Sequence, residues 1–179
     1  MDKIDIVNIC ARGWSLPFLV AMLRGENGRM SMLASALGCS RGAARDTLLH
    51  LLEHELVQRH GGVGHPLRPE FHLTEKGRLL AACLEPTMPH VADQAISLIR
   101  LKWSLPILVT LDEPLRFNSL ARQLPQSTDR ALSQTLGRLE NASWVHRRVD
   151  AASRPVAVEY SAAGRGAKIG DGLREALTA

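Results

Sequence analysis

The apolar pattern of the chain occurs twice. Trp14-Ser15-Leu16-Pro17-Phe18-Leu19-Val20 returns 89 positions later as Trp103-Ser104-Leu105-Pro106-Ile107-Leu108-Val109, with one residue changed. Downstream, Arg29, Leu33, Leu37, Ser40, Leu49, Leu52, Glu53 and Gly77 align with Arg116, Leu120, Leu124, Ser127, Leu136, Leu139, Glu140 and Gly164 at an offset of 87. One fold is therefore expected twice, as domains over residues 1–86 and 87–179. The break falls near Glu85-Pro86-Thr87-Met88-Pro89, where two prolines withhold amide donors and disfavour helix before them. Domains this small bury a modest share of their surface, so each half is expected to lean on the other or on a partner chain.

Periodicity predicts the same order of elements in each half. An apolar helix covers residues 4–23 and again 91–111, with Pro17 and Pro106 marking a kink or a junction between two helices. After a tight turn, apolar residues three and four apart give a short helix over 30–37 and 117–124. Ser127-Thr128-Asp129 offers N-cap residues for a longer helix through residue 141, in which Leu132, Leu136 and Leu139 form one buried stripe. This is a helix-turn-helix. Alternation over 145–149 and 156–160, and over 56–60 and 70–73, gives paired strands that form a β-wing, and a last helix closes each half at 75–84 and 164–177. The fold class is mainly α with small β-wings (α+β): two tandem winged helix-turn-helix domains.

Composition narrows the function without fixing it. No apolar run reaches the roughly 18 residues that a membrane helix needs, and the first residues lack a signal-peptide pattern, so a cytoplasmic protein is expected. Three cysteines, Cys10, Cys39 and Cys83, without a CxxC pair argue against disulfides and structural zinc. A net charge of +4 permits nucleic-acid binding, and 18 of the 22 basic residues are Arg, the side chain suited to bidentate contact with phosphate and guanine. A GC-rich genome would give the same excess. No phosphate-cradling GxGxxG or P-loop, no GxSxG and no HExxH occurs, so neither an enzyme nor a cofactor is expected.

The second half, with Lys102-Trp103-Ser104-Leu105-Pro106, Leu115-Arg116-Phe117-Asn118-Ser119-Leu120, Leu132 to Glu140 and Pro155 through Glu159-Tyr160, resembles the HxlR-type winged helix-turn-helix regulators, relatives of the MarR group. The first half is a degraded copy that keeps the Trp helix and Leu73-Thr74-Glu75-Lys76-Gly77 but has Arg29-Met30 in place of Arg-Phe. The resemblance implies a bacterial, DNA-binding transcriptional regulator whose domains pair through terminal helices. With two copies in one chain, it implies a fused pseudo-dimer, either monomeric or paired again as a homodimer. Cys10 lies only four residues before Trp14, a departure from the family's cysteine placement that weighs against redox sensing.

Candidate contacts to double-stranded DNA follow from the helix pattern. Opposite the Leu stripe, the second recognition helix carries Ser127, Thr128, Arg130, Ser133, Gln134 and Arg138. The aligned face of the first carries Ser40, Arg41, Ala43, Asp46, Thr47 and His50, with Arg45 at a position held by an inward Leu in the other copy. The wings add Arg147, Arg148 and Arg154 in one half, and Arg59, His60, His65 and Arg68 in the other, as phosphate contacts. A solvated polar face is the competing reading of all of these. His50, His54, His60, His65 and Cys39 match no ligand spacing, so no metal is expected; Trp14 and Trp103 read as core anchors. A protein-interaction adaptor and a plasmid replication initiator are rival functions, because tandem winged helices serve both. An effector molecule or a protein partner, the operator and the sign of regulation stay open.

Overall fold

The computed structural model describes residues 3–26, 28–61, 69–86, 88, 96–150 and 157–178. They pack as two compact units: Ala11–Ile96, the N-unit, and Met1–Cys10 together with Ser97–Ala179, the C-unit. The first helix, α1 (Lys3–Ile9), thus packs with the second half of the sequence. The N-unit continues with α2 (Ser15–Leu23), α3 (Met30–Ala36), α4 (Arg41–Glu53), strands β1 (Val57–His60) and β2 (Glu70–Leu73), and α5 (Glu75–Leu84). At the boundary lies α6 (Ile96–Ile99). The C-unit follows with α7 (Ser104–Thr110), β3 (Leu115–Arg116), α8 (Phe117–Gln123), α9 (Asp129–Asn141), β4 (Val145–Asp150), β5 (Ala157–Ala162) and α10 (Gly164–Thr178).

Burial explains the elements. In the N-unit Phe18, Leu19, Leu33, Leu48, Leu51 and Leu80 are sealed from solvent; in the C-unit Ile107, Leu108, Leu120, Leu136, Leu139 and Ile169 are their counterparts, joined by Ile6 and Ile9 from α1 lying against α7. The apolar stretch of residues 4–23 forms two helices, not a kinked one, and the break falls at residues 10–14, ahead of the proline. Pro17 and Pro106 each occupy the third position of the following helix, where a missing N–H costs no intrahelical bond. Residues 91–95 of the helix expected over 91–111 lie outside the described residues.

Three side-chain N-caps start the later helices: the Ala43, Gly77 and Ala131 amides donate to Ser40 Oγ, Thr74 Oγ1 and Thr128 Oγ1 at 3.1–3.2 Å. Helices α4 and α9 stop without glycine. Glu55 and Ser143 take left-handed φ values of 56° and 59°, and the next amides, of Leu56 and Trp144, donate back to Leu51 and Leu139 carbonyls. In each unit a closing glycine then allows close approach. A Cβ on Gly77 would stand 1.9 Å from the Leu56 carbonyl oxygen, and one on Gly166 would stand 2.3 Å from that of Trp144. Only hydrogen fits there.

These contacts correct the register of the repeat. The capped helices start at Arg41 and Asp129, so Leu48 and Leu51 correspond to Leu136 and Leu139, one residue away from the alignment of Leu49 and Leu52. Gly77 corresponds to Gly166, not Gly164. The helix-turn-helix turn of the C-unit is one residue longer than its counterpart, which a constant offset conceals. The wing of the C-unit also has a third strand, in the order β3-β5-β4, where only a pair is expected from the sequence. Two residues, Leu115 and Arg116, are too few to show alternation.

Candidate nucleic-acid interface

The face of α9 is set by what lies beneath it. Leu132, Thr135, Leu136 and Leu139 are buried, and the Thr135 hydroxyl donates 2.8 Å to the Ala131 carbonyl. Arg130, Ser133, Gln134 and Arg138 therefore stand exposed on the outer side. Of the candidates preceding the helix, Thr128 is the N-cap, and Ser127 is half-buried with its hydroxyl donating 2.6 Å into the turn at the Leu124 carbonyl. Both hydroxyls are engaged in shaping the turn. On the wing, Arg147 pairs in register with Tyr160 and Arg148 with Glu159, while Arg116 of β3 meets Glu159 from the other side. Glu159 thus lies between two arginines, a net positive cross-strand row that includes Arg116, which the sequence pattern did not single out. Arg154 lies outside the described residues.

The N-unit presents a different face. Ser40 is the N-cap, Arg41 and Arg45 are exposed, and Arg59 and His60 are exposed on β1. Two expectations are corrected by the register. Thr47 is buried beside Leu48 and Leu51, so its hydroxyl is withdrawn from the outer surface, and Arg45 corresponds to the outward Ser133 instead of an inward Leu. Arg45 Nε lies 3.5 Å from Asp46, so part of its charge is compensated locally. Leu49 is 56% exposed on α4 and Met32 51% exposed on α3, where a phosphate-facing surface would carry polar groups. Arg68 and His65 lie outside the described residues.

His50 and His54 rings meet edge to face at 4.5 Å, but among the described residues no group of three His, Cys, Asp or Glu side chains gathers to hold a metal. Among the described residues no helix is long and apolar enough to cross a membrane. Cys10 is buried, and burial pushes its thiol up to about 12. At pH 8 the reactive thiolate is then roughly one part in 10⁴. Iodoacetamide is expected to leave Cys10 unmodified in the native protein and to alkylate it in denaturant, as read by peptide mass spectrometry; rapid native alkylation would contradict its burial.

A helix-turn-helix followed by a pair of antiparallel strands, present twice, defines the class: a tandem winged helix-turn-helix protein. The family described as HxlR-like helix-turn-helix matches residues 9–96 and again 98–177. The chain belongs to that family, whose members are DNA-binding transcriptional regulators. Two solved structures of the Bacillus subtilis transcriptional regulator YodB are similar to it. The reduced form is 27% identical with a TM-score of 0.43, covering 51% of this chain and 89% of that one. The diamide-treated form is 21% identical with a TM-score of 0.35, covering 59% and 90%. No curated protein matches the chain.

Proposed function

We propose that the protein recognises a specific duplex DNA sequence through α9, laid in the major groove with the β4–β5 wing on the backbone, and that the N-unit contributes less to base reading. The observation that carries this is the outer face of α9. Arg130 and Gln134 project there from a helix whose opposite side is anchored by four buried residues, which fixes their placement for bidentate contact, the Arg130 guanidinium donating twice to a guanine edge and the Gln134 amide donating to and accepting from an adenine edge. Exposed Leu49 and Met32 favour a different role for the corresponding face of the N-unit.

Selection of bound genomic fragments by the full chain tests the reading and yields the site itself. A salt titration on the selected site is expected to give a log-log slope of about −3 to −5, since each neutralised phosphate contributes roughly −0.9 and Arg138, Arg147, Arg148 and Arg154 are the proposed phosphate contacts. Absence of duplex binding at low salt would overturn the DNA reading in favour of a protein-interaction adaptor.

A further inference from the structure

We propose that the N-unit pairs two copies of this chain through the outer faces of their α4 helices, laid antiparallel about a twofold axis at Leu49. Arg45, Leu49 and Glu53 stand four residues apart on α4, so they form one row along the helix, about 6 Å per step. All three are exposed, Leu49 at 56% and the Arg45 side chain at 71%. The row reads positive, apolar, negative in the direction of the chain.

The other copy of the fold provides the comparison. The matching positions of α9 hold Ser133, Gly137 and Asn141, which are uncharged and carry no large apolar group. The neighbouring row of α9, Arg130, Gln134 and Arg138, corresponds to Gly42, Asp46 and His50. On the preceding helix Met32, 51% exposed, stands where α8 has Ser119. A helix face left only to water would hold polar groups at these positions. Here two large apolar side chains stand exposed on the two helices of one helix-turn-helix, which is the mark of a surface that another protein covers.

Charge selects the occupant. A row that runs from positive to negative is complementary to its own reverse, so in an antiparallel pair Leu49 meets its twin at the axis and Arg45 lies opposite Glu53 of the partner subunit, once on each side. Rows of spacing four interdigitate in the commonest class of helix crossing, which suits this arrangement. Asp46, on the neighbouring row, is engaged by Arg45 at 3.5 Å, and exposed Arg41 adds a second positive group one turn before Arg45, so the start of α4 stays attractive to a carboxylate. Antiparallel helices also set opposite dipole ends side by side. Two chains paired in this way carry two copies of α9 in one assembly. That last consequence rests on the DNA-binding reading; the pairing does not.

The test follows the mass of the full chain, free of DNA, by sedimentation equilibrium between about 1 µM and about 500 µM, the range in which a contact of this size is expected to form. The mass is expected to rise from one chain towards two. Leu49→Asp is expected to weaken the pairing by about tenfold or more, because the substitution meets itself at the axis. Arg45→Glu and Glu53→Arg are each expected to weaken it by about threefold or more, and the two together to restore it. Recovery in the double variant is the distinguishing readout: positions 45 and 53 lie about 12 Å apart along one helix, too far to pair within a chain. Both are exposed, so the charge exchange decides the matter even where Leu49→Asp lowers the melting midpoint. A chain that stays single over the whole range would overturn the inference, as would a double variant that pairs no better than the single ones. So would a dimer indifferent to Leu49→Asp, the result that pairing through the terminal helices alone would give. Because no DNA is present, a failure of the regulator reading leaves these outcomes intact.

Discussion

Trp103→Ala is expected to lower the unfolding free energy of the C-unit by about 3–5 kcal/mol, the usual cost of emptying a large aromatic site in a core. The indole is 8% exposed at the N-terminus of α7, a helix whose residues are buried throughout, so neighbouring groups have little freedom to collapse into the void. Denaturation followed by circular dichroism reads the loss as a lower midpoint. Trp14→Ala is expected to cost less, because that indole is half-buried. Unchanged stability with lost DNA affinity in Trp103→Ala would make the residue a contact and overturn its assignment to the core.

Arg130→Ala combined with Gln134→Ala is expected to weaken specific DNA binding by tens-fold or more, since a good base contact discriminates by about 1–3 kcal/mol. Both side chains are exposed on α9 and outside the turn-forming hydrogen bonds that engage Ser127 and Thr128. Arg41→Ala with Arg45→Ala on α4 is expected to cost visibly less, because Asp46 already compensates Arg45. Titrations of both pairs at one salt concentration decide between the alternatives. Equal losses would mean that both recognition helices read bases alike, and that the exposed Leu49 has no bearing on function.

Much of this arrangement was legible in the residues. The closing helix at Glu75–Leu84 and the strand at Glu70–Leu73 coincide with the pattern of apolar residues, because caps and alternation are local signals. The Leu stripe of α9 was likewise readable, since a period of 3.6 survives any shift of alignment. What escaped was non-local or lacked a residue signature. The left-handed ends at Glu55 and Ser143 carry no glycine, so nothing in composition announces them. A constant offset misses the one-residue difference in the turn and matches Leu49 to Leu136, which puts Thr47 on the surface and Arg45 in the place of an inward Leu.

The packing of α1 with α7 also orders events during synthesis. Ile6 and Ile9 are made well before the surface that buries them, because α7 follows the entire N-unit in the chain. Throughout that interval the nascent chain carries an apolar helix with its native partner still untranslated, joined directly to the N-unit, whose residues are already made. Elongation speed and chaperone occupancy over that interval thus bear on the half that carries Arg130 and Gln134, although the helix at stake belongs, in sequence, to the other.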